Sequence, residues 1–523
     1  MKRLLLVFIA LTLLGLIAAC GQAAPPQVVE KVVTVEVEKE VEKVVTVEVE
    51  KEVEKVVTVE VQVEGEAMAP VGGSAADIAV EAAKQYAGAK LVIAYEAGLQ
   101  AQDGYFFGPQ WTNLTGIEVE VIEVPFDELY ANTINEHLAG TSTVDVLNVV
   151  PGWMGDFVAA GVLEPLDDYV AKYYPPEELA DIHPTYLNNW SKVGDVTYAI
   201  PDDGDVHIMY YRRDLFEDSE NQSAFQEEYG YELAPPKTWD EWNDTCAFFT
   251  DKYAPDIYGC AFQRKGQPYH WFNSAFRSYG GKFFDPETMK AQVNNEIGVK
   301  TAETLLASIP YGPPGAVEWD FIAAFSAWME GKLAMYISWP PPGRWSEGYG
   351  SQTEQLAWLP PTKVVGKVGY GIQPGGGELA AGFSLGVSAD SPNKEAAYLF
   401  SQWLTSQDIS LQRVMTPFAL RDPYRLSHYD SALYKSQWTH APEYLAVLKE
   451  GAETGYLNLA FPGSREYEEA EEQAITAIYA GANIQQTLDK LAADWDAITE
   501  RIGVDKQKEA YAKWAASPNA YPK

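Results

Sequence analysis

Apolar and polar positions fall into short blocks along this chain. Lys90-Leu-Val-Ile-Ala-Tyr95 is an apolar run of strand length, followed by a polar, glycine-bearing loop from Glu96 to Gly104. Ile117 to Val124 alternates apolar and acidic residues, which predicts a strand with one exposed face. Phe126 to Ala139 has helical spacing, and Val144 to Val150 reads as a third strand opening into Pro151-Gly152-Trp153. Strand, helix, strand, helix, strand predicts a mostly parallel sheet with ligand loops at the strand ends.

Tyr198 to Phe216 breaks that rhythm. A short apolar strand stops at Pro201, and Asp202, Asp203, Gly204 and Asp205 form an acidic corner. A second apolar run, Val206 to Tyr211, then ends in Arg212-Arg213-Asp214. The pattern suits a segment crossing between two lobes, and it equally suits a tight turn with solvated aspartates. Further on, Thr238 is placed to cap a helix with Glu241 three residues on. Phe325 to Lys332 predicts a helix and Leu333 to Ser338 a strand, which Trp339 and Pro340 to Pro342 break into a loop. Gly382 to Val387 reads as a strand and Asn393 to Ser406 as a helix. Ile475, Ile478, Leu488, Leu491, Trp495 and Ile498 carry helical spacing that suits core packing.

The N-terminus has a different composition. Lys2 and Arg3 precede an apolar stretch from Leu4 to Ile17, too short to span a membrane, and Ile17-Ala-Ala-Cys20 resembles the lipobox of bacterial lipoproteins. That resemblance implies cleavage before Cys20, lipidation of Cys20 and an anchor on the outer face of the cell membrane. From Glu30 to Val61 the unit Glu-Lys-Val-Val-Thr-Val-Glu-Val-Glu-Lys-Glu-Val recurs nearly three times. Its valines lie all round a helical wheel, so it reads as a tether or a self-associating stalk rather than an amphipathic helix. Fully extended, such a tether reaches roughly 100 Å.

With 523 residues the chain exceeds one ordinary core, so two or more lobes are expected. A net charge of −37 argues against nucleic acid as a partner, because an acidic surface repels phosphate. The 15 Trp, 31 Tyr and 20 Phe supply flat apolar faces for packing or ligand stacking. Besides Cys20 there are only Cys246 and Cys260, which in an exported chain read as a disulfide.

From about Lys90 onward the chain resembles the extracellular solute-binding proteins of ABC importers, the family that includes maltose-binding protein. The pieces that carry the resemblance come in the family's order. They are Lys90-Leu-Val-Ile93, Thr115-Gly-Ile-Glu-Val119, Val144-Asp-Val146, Ala160-Gly-Val-Leu163 and Tyr210-Tyr-Arg-Arg-Asp-Leu-Phe216. Pro236-Lys-Thr-Trp-Asp-Glu-Trp242, Tyr279-Gly-Gly-Lys282, Phe325 to Met335 and Ser391 to Ala397 follow. The resemblance implies an α/β, two-lobed periplasmic-binding-protein fold with discontinuous lobes joined by hinge segments, behind a lipid-anchored tether. The expected division is a signal peptide over 1–19, the lipidated tether over 20–76, lobe 1 over 77–204 and 336–395, and lobe 2 over 205–335 and 396–523. The implied partners are a small solute, a sugar or oligosaccharide, and the transmembrane subunits of an ABC permease. A polyamine receptor, a surface hydrolase of glycans or esters and a stalked adhesin are the other readings.

A sugar site needs carboxylates and amides to fix hydroxyls and aromatic faces for the pyranose ring. Asp205 stands where the family's interlobe segment carries a ligand-facing acid, and Asp203 is a weaker choice beside it. Trp153 follows the third strand. Gln267, Tyr269 and Trp271 resemble a family segment that supplies a polar group and a stacking ring, with an amide here in place of an acid. Trp339 stands where the family places a cleft tryptophan, although Pro340 to Pro342 leave Trp345 as a second candidate. Glu96, Phe383 and Arg421 complete the set from loops that line clefts in such folds. Gly382-Phe-Ser-Leu-Gly386 matches G-x-S-x-G, but the strand continues past Ser384 where a nucleophile elbow needs a helix. The six histidines lack metal-ligand spacing and Gly375-Gly376-Gly377 lacks the following Lys-Ser/Thr, so no metal or other cofactor is expected.

Overall fold

The computed structural model describes residues 73–380 and 382–522. The export segment, the lipidation of Cys20 and nearly all of the tether lie outside the described residues. Nine strands among the described residues build two main sheets. They are β1 (Lys90–Glu96), β2 (Glu118–Val124), β3 (Val146–Val149), β4 (Ala199–Pro201), β5 (Ile208–Arg212), β6 (Tyr258–Phe262), β7 (Leu333–Ser338), β8 (Val368–Ile372) and β9 (Ser384–Val387).

The first sheet has the order β2-β1-β3-β9-β4. β1 runs parallel to β2, from Lys90 opposite Glu118 to Glu96 opposite Val124, and parallel to β3. β2 is the edge, and its exposed Glu118, Glu120 and Glu123 put charge on the side open to solvent. The helix Leu99–Thr115 connects β1 to β2 and ends at Gly116, whose φ of 77° suits a residue without Cβ. Helices Ala75–Ala83 and Lys394–Thr405 pack against each other, and Lys394–Thr405 also lies on β9 and β4. This is the first lobe.

The second sheet has the order β8-β5-β7-β6. β7 is its most enclosed strand, buried at all six positions, antiparallel to β5 and parallel to β6. Thr238 and Glu241 form the expected capping box at the start of the helix Trp239–Tyr253. Cys246 on that helix is bonded to Cys260 on β6, with Cα atoms 5.2 Å apart. Gly259 permits this contact, since a Cβ there would lie 1.9 Å from the Cys246 carbonyl oxygen. With the two cysteines 14 positions apart, replacing both by Ala is expected to cost about 3 kcal/mol of stability. Urea unfolding of the double variant measures it, and an unchanged midpoint would count against the bond as a stabiliser.

Three expectations need correction. The segment 336–395 was assigned to the first lobe, yet β8 pairs with β5 in the second sheet, and only β9 returns to the first. Conversely, Lys394–Thr405 packs in the first lobe although 396–523 was assigned to the second. β8 reads Val-Gly-Tyr-Gly-Ile, and its glycines hid a strand whose partner lies far away in sequence. The prolines after Trp339 do not make a loop. Pro341 starts the short helix Pro341–Ser346, where a missing backbone N–H costs nothing.

Candidate ligand-binding cleft

The acidic corner is a crossing between the sheets: β4 ends at Pro201 in the first and β5 begins at Ile208 in the second. The crossing is packed against residues 422–423. A Cβ on Gly204 would lie 2.0 Å from the Pro423 carbonyl oxygen, so only a hydrogen fits. Asp203 Oδ1 accepts from the backbone N–H of Gly204 at 2.8 Å and of Asp422 at 2.7 Å. Asp205 Oδ2 accepts from the Gly382 N–H at 3.1 Å, and the Asp205 carboxyl also hydrogen-bonds to Asp422.

Five carboxyls meet three guanidinium groups here, all buried: Asp103, Asp202, Asp203, Asp205 and Asp422 against Arg344, Arg413 and Arg421. Arg413 donates to both Asp103 and Asp202, Arg421 Nε lies 2.8 Å from Asp202, and Arg344 donates to Asp422 at 2.6 Å. Burial pushes Asp202 up, but Arg413 and Arg421 outweigh it and hold the carboxyl below its usual range. No such cation serves Asp205, which burial and then the charges of Asp203 and Asp422 push well above that range. Burial and Asp422 push Asp203 up to about 8. Oxygens of Asp203, Asp205 and Asp422 all lie within 4.8 Å of one another. Protons shared among the three relieve that repulsion.

A second group lies beside the crossing, at the near end of β5. His207 stacks on Trp271 at 4.7 Å, meets Trp339 edge-on at 4.4 Å and lies 5.5 Å from His270. Burial holds the His207 imidazole well below its ordinary pKa, so it is neutral. His270 opens the helix Tyr269–Ser278 together with Tyr269, their rings 4.4 Å apart. The helix Ser464–Tyr479 packs on Tyr269–Ser278 and brings Arg465, Glu468 and Glu471. The first lobe contributes Trp153, whose ring lies 5.7 Å from the Arg465 guanidinium carbon. Gly152 lets the lobes approach closely, since a Cβ there would stand 3.3 Å from Glu468 Oε1. Burial pushes Glu468 up to about 7, opposed by Arg465 and a hydrogen bond to Trp153.

Polar atoms without partners occur in both groups, with Asp203 Oδ2, Asp422 Oδ2 and Arg344 Nε in the first. Both ring nitrogens of His207 and of His270, Glu471 Oε1, Asn273 Oδ1 and Gln263 Oε1 are buried with no hydrogen-bond partner among the described residues. Such groups are rare in native interiors and point to a polar ligand or water.

The expected site residues divide accordingly. Asp203 and Asp205 lie in the crossing rather than in the second group. Asp203 Oδ1 accepts from the Gly204 and Asp422 N–H groups and Asp205 Oδ2 from that of Gly382, while Asp203 Oδ2 has no partner among the described residues. Trp153 packs with Phe126 and Tyr130 and reaches the interlobe contact through Arg465. Gln267 is half-buried with φ 55°, and its N–H donates to Glu472 Oε1 at 3.1 Å. Tyr269 is in the second group, but Trp271 lies between His207 and Phe262 as a packing ring. Trp339 is half-buried and donates from Nε1 to the Ala380 carbonyl at 3.2 Å, whereas Trp345 is core, bonded to the Pro417 carbonyl. Glu96 is half-buried, with its carboxyl pushed up to about 7 by burial against the pull of Arg421. Phe383 is packed in the cluster that holds Trp153, and Arg421 is bound to Asp202.

His207, His270, Asn273, Glu468 and Glu471 were missed. One signal was available: Glu468 and Glu471 share the helix face of Ile475 and Ile478, where an acid on an apolar stripe needs a reason.

The comparisons agree with this architecture. A probable amino-acid ABC transporter periplasmic-binding protein of Sinorhizobium fredii is 26% identical over 344 residues, covering 64% of this chain and 73% of the relative. A maltotriose-binding protein of Pyrococcus abyssi is 24% identical over 258 residues, 49% of each, so the chain spans about half the length of that relative. The solved structure of a solute-binding protein from Agrobacterium radiobacter in complex with ribitol superimposes with a TM-score of 0.63 at 22% identity. It covers 79% of this chain and 99% of that one, and shows the fold. The family model for bacterial extracellular solute-binding proteins matches residues 88–409, more than half of the sequence, and the chain belongs to that family.

Proposed function

We propose that this protein binds a sugar or polyol between its lobes and hands it to an ABC permease, held at the outer face of the membrane by lipidated Cys20. The observation that carries the reading is the second group: aromatic faces of Trp339 and Tyr269 beside the unpartnered ring nitrogens of His270, with unpartnered Asn273 Oδ1 and Glu471 Oε1, and Trp153 of the other lobe against Arg465. Flat rings suit the C–H faces of a sugar, and unpartnered acceptors and imidazoles suit its hydroxyls. A ligand touching Trp153 on one lobe and Glu468 or Trp339 on the other favours the closed form by bridging both. The maltotriose-binding relative and the ribitol-bound structural neighbour support a carbohydrate class. As a member of a family of binding proteins the chain is not an enzyme. Ser384 of the G-x-S-x-G string is consistent with that, since it is paired on both sides within the first sheet.

A thermal-shift screen with maltose, maltotriose, mannitol and ribitol tests the reading. A cognate sugar at about 100 times its Kd stabilises the folded state by about 2.7 kcal/mol, which raises Tm by about 3 °C in a domain of this size. Trp339→Ala is expected to weaken binding by about 10-fold or more. Unaltered affinity in that variant would remove Trp339 from the site. No shift with any sugar or polyol, alongside a shift with an amino acid or peptide, would overturn the carbohydrate assignment.

A further inference from the structure

We propose that the solute carries a protonated amine, as an amino sugar does, and that Glu471 with Glu468 receives it. This rests on the sugar-receptor reading above and narrows the class of sugar. Three buried glutamates, Glu378, Glu468 and Glu471, stand among two arginines, Arg277 and Arg465. Arg277 is committed to Glu378 and to the Leu457 carbonyl. Arg465 lies 3.0 Å from Glu469 and 3.8 Å from Glu468. Glu471, 1% exposed, has no cation of its own: Oε2 accepts from Asn273 Nδ2 at 3.2 Å and Oε1 accepts from nothing described. A buried carboxylate in that position requires either a proton or a positive charge brought from outside.

A second observation points to a ligand at the same place. His270 is 1% exposed, both its ring nitrogens are unpartnered, and Nδ1 stands 3.9 Å from Glu378 Oε1. Asn273, whose Nδ2 serves Glu471, has its own Oδ1 unpartnered. Polar groups of the helix Tyr269–Ser278 therefore stand beside the glutamates, and the rings of Tyr269 and Trp339 flank His270. Carboxylates beside aromatic faces are the chemistry that holds an ammonium group, by charge-assisted hydrogen bonds and by cation–π attraction. Burial pushes the Glu471 carboxyl well above its usual range, which favours its protonated form while no cation is beside it. Binding an ammonium ion then ionises Glu471 and releases that one proton to solvent. The amine keeps its own protons, and the charge balances.

Isothermal titration calorimetry with matched pairs tests this: glucosamine against glucose, the β-1,4-linked glucosamine disaccharide against cellobiose, and glucamine against sorbitol, with spermidine as a sugar-free amine. In at least one pair the amine is expected to bind about 10-fold or more tighter than its neutral partner. Its heat should vary with the ionisation enthalpy of the buffer, as proton release requires. Glu471→Gln imitates the protonated acid, so it should abolish the preference for the amine over its neutral partner. Circular dichroism confirms the fold of the variant, and Glu468→Gln provides a second test of the same site. Neutral sugars binding as tightly as their amines would overturn the amine and leave the sugar receptor standing. Spermidine binding without any sugar would overturn the sugar reading and the amino-sugar assignment with it, as would no binding throughout. A preference that survives in both Gln variants would remove these glutamates from the site.

Discussion

Replacing Arg413 by Met is expected to destabilise the protein by about 3–5 kcal/mol, because it strands buried charge at the crossing. Arg413 donates through Nε and Nη2 to Asp103 and through Nη1 and Nη2 to Asp202. A further bond, from Nη1 to the Leu404 carbonyl at 3.0 Å, fastens it to the end of the helix Lys394–Thr405. Asp202 would keep Arg421, but among the described residues Asp103 has no second arginine within ion-pairing distance. Adding Asp103→Leu to Arg413→Met should therefore recover part of the loss, since the uncompensated carboxylate goes too. Urea midpoints of the two single variants and the double variant measure the coupling. A single-variant loss below about 1 kcal/mol would mean that water reaches the pair and screens it.

Stability should fall as pH rises from about 5 to about 8, by on the order of 4 kcal/mol, and Asp203→Asn should flatten that slope. Burial and the neighbouring Asp422 raise the Asp203 carboxyl to about 8 in the folded protein, against an unfolded value near that of an ordinary aspartate. Across that window the unfolded chain has lost the proton and the folded one still holds it. The stabilising contribution is thus complete below the unfolded value and is lost as pH climbs through the folded one. Asp205 and Asp422 are raised as well and act in the same direction, so Asp203→Asn should leave a residual slope. Asp202 has the opposite sign, and its contribution is lost only in acid. Thermal melts across the range check the sign; a slope as steep in Asp203→Asn as in the wild type would assign the proton elsewhere.

Both predictions concern the place where the chain passes from one sheet to the other, and this gives the fold its functional sense. The crossing segment carries Gly204 against the Pro423 carbonyl, and oxygens of Asp203, Asp205 and Asp422 lie within 4.8 Å of one another beside it. The groups that suit a solute lie next to it, between Trp153 on one lobe and the helices Tyr269–Ser278 and Ser464–Tyr479 on the other.

Local patterns in the sequence determined a good deal. The strand at Lys90, the acid-faced edge strand at Glu118 and the helix from Phe126 follow from hydrophobic periodicity, and the Thr238–Glu241 capping box from residue types at fixed spacing. The crossing was visible as an acidic break between two apolar runs. Of the residues expected from the family resemblance, Trp339 and Tyr269 lie in the second group beside His270.

Contacts between distant segments were decided only by the tertiary structure. Nothing near Val368 announces that β8 pairs with β5, some 160 positions earlier in the chain. Asp205 was chosen as the ligand-facing acid, but its surroundings are set by residues 382 and 422, which no local pattern brings to it. Glu468 and Glu471 are ordinary members of an acidic helix until Tyr269–Ser278 covers them and removes their water. Periodicity is a property of neighbours along the chain, whereas the charge state and the partners of a carboxyl depend on what packs over it. Most strands and helices could therefore be read from the residues, and the partners and charge states of the buried acids could not.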